Sequence, residues 1–152
     1  MWNEVNFGKW SDKGKTLPQI VVSDPDWFFW ALEEKAYKAL QAEAEKLARR
    51  AKAIKLPAPL AATHCIQYLF TPDSKFSGFN VIKSDQPEHI GSSSELRRPT
   101  LDLSMPRAVK TYDKLGAKLL LKTFKYYWFE NKNFARLKVE AFFDDRTKFV
   151  DP

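Results

Sequence analysis

The sequence contains one cysteine, Cys65, among its 152 residues. A single cysteine excludes an intrachain disulfide framework and a zinc site built on cysteine ligands. Histidine is almost as rare, since His64 and His89 are the two in the chain and no metal-ligand spacing relates them. The sequence therefore gives no reason to expect a metal ion or another cofactor.

Long apolar runs are also missing. No segment approaches the roughly 18 consecutive apolar residues that a membrane-spanning helix needs. The first ten residues, MWNEVNFGKW, lack the basic start and the apolar middle of a signal peptide. We therefore expect no membrane partner, and the cytoplasm of a bacterium or of a phage-infected cell fits best.

Aromatic residues and positive charge are what the sequence has in quantity. Hydrophobic residues make up 44% of the chain, with twelve Phe, five Tyr and five Trp, which is ample for a core and excludes disorder of the whole chain. The length is close to the common size of one domain. The net charge of +6 allows an anionic partner such as nucleic acid, although many basic proteins bind nothing anionic.

The N-terminal quarter carries turn and helix-start signals. Two short, partly apolar runs, residues 4–9 and 15–22, flank a segment in which Asp12 and Gly14 supply turn chemistry, so the pattern predicts a β-hairpin. The Ser23-Asp24-Pro25-Asp26 sequence then combines a capping side chain, a proline suited to a first helical turn and an acid that matches the helix dipole. A helix is predicted to start there.

The predicted helix continues as a stripe of apolar residues at helical spacing. Its members are Phe29, Leu32, Ala36, Leu40, Leu47, Ala51 and Ile54. One helix over residues 25–55, or two helices meeting near residues 33–37, both fit the stripe. The prolines in residues 56–59 end the helix, because proline lacks the amide donor.

The rest of the chain reads mostly as strands around one helix. Strands are predicted at residues 63–70, 75–83, 100–105 and 135–143, a long loop at 84–99, and a helix at about 107–131. Together the patterns predict an α+β protein, with an N-terminal β-hairpin and helix followed by a mostly antiparallel sheet packed against the later helix. Residues 1–55 would form a hairpin–helix module, and residues 56–152 an α+β region packed with it as one compact unit.

One candidate binding feature is a lysine ridge on the later helix. It comprises Lys110, Lys114, Lys118, Lys122 and Lys125. Like charges at four-residue spacing weakly destabilise a helix, and only Asp113 and Glu130 lie within its span to offset them. A phosphate backbone would relieve that repulsion and release counterions. The competing interpretation is a solvated face whose long side chains cover apolar neighbours.

A second candidate lies at the predicted hairpin tip, where Lys9, Lys13 and Lys15 surround Trp10. Aromatic rings beside cations suit single strands, since bases stack on the rings while the cations follow the phosphates. We expect Trp27 and Trp30 to anchor the helix in the core instead, because large aromatics at helical spacing are usually buried.

Candidates for catalysis are sparse. Cys65 and His64 are neighbours on a predicted strand and would point to opposite faces, so they cannot form a dyad. Asp144 and Asp145 close the last predicted strand, and we interpret them as a turn and not as a metal site. The sequence therefore favours a non-catalytic protein over an enzyme.

Four motifs in order resemble a known family. They are Phe7-Gly8-Lys9, Lys13-Gly14-Lys15-Thr16-Leu17, Asp24-Pro25-Asp26-Trp27 and the pair Phe29-Trp30. This order resembles the small module at the C-terminus of exodeoxyribonuclease X-like proteins, also found in stand-alone phage and bacterial proteins. The resemblance covers about residues 5–37 and does not extend to residues 56–152. The turn is about two residues longer here, through Ser11-Asp12, and the acidic nuclease motifs of that family are not found.

The resemblance implies association with nucleic-acid enzymes, or DNA contact by Lys9, Lys13 and Lys15, but it does not imply hydrolysis. With the lysine ridge, it leads us to expect a non-catalytic nucleic-acid-binding accessory protein of phage or mobile-element origin, with DNA favoured over RNA. The alternative is a protein-binding module or an inhibitor that acts on a host nuclease or nucleoprotein complex. The aromatic excess and the loop at residues 84–99 motivate that alternative.

Overall fold

The computed structural model describes residues 2–73, 75–107 and 114–150. The fold is α+β, as predicted, with antiparallel strands packed against helices. The helices are α1 (Leu17–Ser23), α2 (Pro25–Glu33), α3 (Gln41–Ala51), α4 (Ala58–Ala61), α5 (Lys114–Trp128) and α6 (Arg136–Asp144). The strands are β1 (Ile54–Lys55), β2 (His64–Phe70), β3 (Phe76–Lys83), β4 (Ser94–Arg98) and β5 (Thr100–Leu101).

The N-terminal segment corrects the predicted β-hairpin. Residues 4 and 16 form a single antiparallel bridge, and the second predicted arm is the helix α1. Thr16 and Gln19 form a capping box, in which each side chain meets the other residue's backbone, and Pro18 occupies the first turn. The apolar run at residues 17–22 fits a helix as well as a strand, and the capping box and Pro18 favour the helix.

The α2 helix begins at Pro25, as the sequence predicts. Asp24 caps it, since its Oδ1 accepts a hydrogen bond of 3.2 Å from the amide of Trp27. The open choice between one long helix and two is settled by a break after Glu33. A 3₁₀ turn at Lys38–Leu40 follows, and α3 then begins at Gln41.

The central sheet has three antiparallel strands in the order β3-β2-β4. The pairing of β2 with β3 confirms two of the predicted strands and brings Ile66 opposite Val81. The third strand, β4, lies inside the segment that was expected to be a loop, so that expectation is wrong for residues 94–98. A second, two-stranded sheet pairs β1 with β5 through Ile54 and Leu101, which shortens the predicted strand at residues 100–105.

The α5 helix packs on β3 and confirms a helix in the second half of the chain. It ends at Trp128, earlier than predicted, and Arg107 belongs to a 3₁₀ turn; residues 108–113 of the predicted helix lie outside the described part of the chain. Gly116 makes the close approach possible. A Cβ at this position would overlap the ring of Phe76 and lie 3.0 Å from its carbonyl oxygen.

The α6 helix corrects the predicted strand at residues 135–143. Val139, Phe142 and Phe143 are buried at the i, i+3 and i+4 spacing of a helix face. Leu137 is 80% exposed, although strand alternation would have buried it beside Val139. The apolar residues of this segment fit both the strand period of two and the helical period of 3.6. The helix forms because its packing buries Val139, Phe142 and Phe143 together.

The hydrophobic core joins the two ends of the chain. The α1 helix packs against α6, and the indole Nε1 of Trp2 donates a hydrogen bond of 2.9 Å to Asp144. The largest fully buried side chains come from both halves. They include Phe28, Leu47, Tyr68, Phe76, Phe124, Phe143 and Phe149. None of the helices in the described ranges is long and apolar enough to cross a membrane.

Candidate nucleic-acid interface

A cleft of about 580 Å³ lies between α2 and α5. On one side it is lined by the start of α2 and the residues just before it: Ser23, Asp24, Pro25, Asp26, Trp27 and Trp30. The other described residues that line it are Lys9, Arg107, Ala117, Lys118 and Leu121, of which the last three belong to α5. The cleft therefore brings one lysine of the predicted hairpin tip together with one lysine of the ridge.

Lys9 reaches the cleft because of the tight turn before it. Gly8 takes φ +59°, and a Cβ there would lie 3.3 Å from Cζ2 of Trp27, so the backbone runs close over the indole. The ammonium of Lys9 forms an ion pair with Oδ2 of Asp24, the N-cap residue of α2. It also lies 5.8 Å from the ring centroid of Trp10.

Arg107 is the second cation paired with carboxylates at the cleft. Its guanidinium donates to Oδ1 of Asp26 at 2.8 Å and to Oε2 of Glu33 at 3.0 Å. The hydrogen bond from Arg107 holds the pKa of Glu33 below its ordinary value. Two carboxylates on α2 therefore fix the guanidinium at the edge of the cleft.

The three tryptophans Trp10, Trp27 and Trp30 differ in how far they are exposed to solvent. Trp10 packs edge-on against Trp27, with ring centroids 6.3 Å apart, and its indole Nε1 is fully covered. Trp27 is half-buried, as expected of an anchor. Trp30 is 42% exposed, so the prediction that it lies in the core is wrong. Trp30, and not Trp10, presents a ring to the cleft.

Three members of the lysine ridge are described with their side chains. Successive helix residues are about 100° apart, so Lys118, Lys122 and Lys125 fall within about 60° of one another. Lys118 lines the cleft, Lys122 is exposed beside it and Lys125 is half-buried. Lys110 lies outside the described residues. Lys114 begins α5, and its side chain is likewise outside the described part.

The remaining lysines of the predicted hairpin tip lie elsewhere. Lys13 and Lys15 are exposed, and neither lines the cleft. A separate polar pocket beside them is lined in part by Glu4 and Asp12, which add negative charge to that side. The structure thus joins Lys9 to the ridge and leaves Lys13 and Lys15 apart from it.

Three contributors to this surface were missed from the sequence. Arg107 and Asp26 are separated by about half of the chain, and nothing in their local sequence indicates that they meet. Tyr126 is 59% exposed on α5, next to the ridge. Its position four residues after Lys122 could have identified it, because residues four apart are neighbours on a helix surface.

The other candidate groups have structural hydrogen bonds. Asp144 accepts from Trp2, and Oδ1 of Asp145 accepts from the amide of Thr147 at 3.0 Å, capping a short 3₁₀ turn. His64 Nδ1 lies 2.7 Å from the hydroxyl of Thr63. Within residues 2–73, 75–107 and 114–150, no three His, Cys, Asp or Glu side chains cluster in a way that could hold a metal ion.

No protein-family model, curated protein or solved structure matches the chain. The resemblance of residues 5–37 to the exodeoxyribonuclease X-like C-terminal module stays a prediction.

Proposed function

We propose that the protein is a non-catalytic nucleic-acid-binding accessory protein of phage or mobile-element origin, acting in the cytoplasm with DNA as its polymer. The observation that carries the proposal is the cleft, where Lys9 and Lys118 line one surface beside the exposed ring of Trp30. These residues are distant in sequence. Lys118 supplies a cation for a phosphate and Trp30 a ring for a base, the two components of single-strand binding, while Lys9 is paired with Asp24 beside them.

The electrostatics of α5 support the proposal. The helix contains no Asp or Glu from Lys114 to Trp128, so its lysines repel one another without a compensating acid in the helix. Bound phosphates would neutralise Lys118, Lys122 and Lys125 together and release counterions. Tyr126 flanks this surface with a second exposed ring.

The family resemblance supports DNA over RNA. Lys9 belongs to the aromatic-Gly-Lys motif that carries the resemblance, and it is the lysine of that segment that lines the cleft. Lys9 is therefore both part of the family-like motif and part of the cleft.

An electrophoretic mobility series with single-stranded DNA, duplex DNA and RNA, each at two salt concentrations, tests the proposal. We expect salt-sensitive binding, strongest to DNA, that weakens when Lys118, Lys122 and Lys125 are changed together to Gln. The matched control changes Lys46, Arg49 and Lys83 to Gln; all three are exposed, and none lies on α5 or lines the cleft. Absence of salt-sensitive binding to every polymer would contradict the proposal.

The alternative is a protein-binding module or an inhibitor that acts on a host nuclease or nucleoprotein complex. A larger groove, of about 1040 Å³, favours it. Apolar side chains line much of this groove, among them Pro57, Pro59, Tyr127, Trp128, Phe142 and Val150. This function predicts a partner that stays bound in nuclease-treated lysate and is lost when the exposed Val150 is changed to Asp.

A further inference from the structure

We propose that the cleft takes one unpaired nucleobase that carries an exocyclic amino group, stacked on Trp30 and donating a hydrogen bond to Asp26. The inference rests on the proposed function and adds to it a preference for strand state and for base. It would make oligo(dC) a better ligand than oligo(dT), which has no exocyclic amino group.

The shape of the cleft suits a flat ring. Its volume of about 580 Å³ is within the range of small-ligand sites. Trp30 lines one side, and Ala117 and Leu121 of α5 line the other. An aromatic face opposite short aliphatic side chains forms an apolar slot, and a base has such a face whatever its sequence.

The charges inside the cleft separate a base from its phosphate. Asp24 and Asp26 lie at the same end as Trp27, and each is paired with a cation, Lys9 and Arg107 respectively, so little net positive charge is left there to hold a phosphate. Lys118, on α5, is exposed and continues into the ridge, so the phosphate has its favourable position there. The base edge enters the cleft while the backbone stays on the ridge.

Asp26 is the acceptor that would read the base edge. A carboxylate offers two oxygens with about four lone pairs, and the hydrogen bond from Arg107 reaches Oδ1. Arg107 also donates to Glu33, about two helical turns further along α2. Because Glu33 holds the guanidinium in place, the guanidinium in turn holds the carboxylate of Asp26 in a fixed orientation. A positioned carboxylate accepts from the amino group of cytosine, and thymine presents a carbonyl oxygen at the same place.

Strand selectivity follows from the same contacts. In a duplex the cytosine amino group donates to its paired guanine, and both faces of the base are stacked on neighbours. A base can reach Trp30 and Asp26 together only when it is unpaired. Duplex DNA is then left with the phosphate contacts of the ridge alone.

Fluorescence anisotropy with labelled oligo(dC) and oligo(dT) of equal length, at neutral pH, tests the inference. The wild-type protein should bind oligo(dC) about fivefold or more tightly than oligo(dT), the lower end of the discrimination that a good base contact gives. Trp30→Ala should weaken both about fivefold or more, since both bases stack. Trp30→Phe, which keeps an aromatic ring, should retain most of the wild-type affinity for both oligonucleotides.

Asp26→Ala separates base recognition from phosphate binding. Removing the carboxylate should abolish the preference for oligo(dC) while leaving oligo(dT) binding equal or tighter, because a repulsive charge is lost. Arg49→Ala, at an exposed residue outside both the cleft and α5, serves as the control and should leave the ratio of the two affinities unchanged.

The outcomes distinguish this inference from the proposed function. Salt-sensitive binding with equal affinity for the two oligonucleotides, or a preference that survives Asp26→Ala, would overturn the inference and leave the function standing. Affinities unchanged by Trp30→Ala would overturn it as well. Failure to bind any oligonucleotide would overturn both.

Discussion

Nη1 of Arg107 lies 2.8 Å from Oδ1 of Asp26, in the first turn of α2. The same guanidinium reaches Glu33 at the end of α2, so one side chain spans the two ends of a nine-residue helix. This contact ties residue 107 to α2, and both Arg107 and Asp26 line the cleft.

Changing Arg107 to Gln should lower the free energy of unfolding by about 0.5–1 kcal/mol. The value is small because the charges are partly exposed and screened by solvent, as for other surface ion pairs. Thermal denaturation should show a fall in Tm of a few degrees that shrinks at high salt. Arg98→Gln, at an exposed arginine of β4, is the control; an equal loss in both variants would contradict the assigned role.

Changing Gly116 to Ala should destabilise the protein by about 1–3 kcal/mol, the usual cost of overpacking. Helix propensity alone would stabilise it by about 1 kcal/mol, so the sign of the change reports the packing of α5 on β3. The new Cβ would overlap the ring of Phe76, which is fully buried and has little room to move. Thr123→Ala on the same helix should change stability little; stabilisation by Gly116→Ala would refute the close approach.

Changing Arg50 to Ala should cost about 2 kcal/mol or more. Its buried guanidinium donates to the carbonyl oxygen of Phe143 near the end of α6 and lies 5.7 Å from the ring centroid of Phe149. Truncation leaves a buried acceptor without its donor and removes packing around both aromatic residues. Denaturant unfolding should find Arg49→Ala, at the exposed neighbour, near wild type. Similar values for the two variants would show that Arg50 makes no special contribution.

Changing Asp102 to Asn should stabilise the protein in a pH-dependent way. Burial raises the pKa of Asp102 above its ordinary value of 3.8, although hydrogen bonds from Ser104 act in the opposite direction. An acid with a raised pKa binds more protons in the folded chain, so the wild type loses stability as the pH rises through the interval between the two values. The melting temperatures of the wild type and of Asp102→Asn should therefore be closer to each other below that pH interval. Above it, Asp102→Asn should have the higher melting temperature. An offset that does not change with pH would contradict the prediction.

Local signals in the sequence predicted much of the framework. The cap and proline before Trp27 placed the start of α2, and the turn-rich residues 71–74 placed the pairing of β2 with β3. The helices α1 and α6 were predicted as strands, because their apolar residues fit more than one period. In α6 the spacing of Val139, Phe142 and Phe143 is helical, whereas apolar residues also occupy every second position of the same segment, as in a strand.

The candidate site was only partly predictable for a different reason. Lys9 and Lys118 were identified individually, because cations beside aromatics or in a ridge are visible in sequence. Their meeting in one cleft depends on the tertiary contacts of α2 and α5, which no local pattern encodes. Arg107 and Asp26 are 81 residues apart, so their ion pair could be found only in the structure.

The salt dependence of single-stranded DNA binding tests the central claim most directly. The logarithm of the affinity should fall linearly with the logarithm of the salt concentration, with a slope set by the number of neutralised phosphates. Changing Lys118, Lys122 and Lys125 to Gln should reduce that slope by about 2, since each contact on a single strand contributes about 0.7. The Lys46, Arg49 and Lys83 control should keep the wild-type slope. Equal slopes for the wild type and the ridge variant would contradict nucleic-acid binding by the lysine ridge.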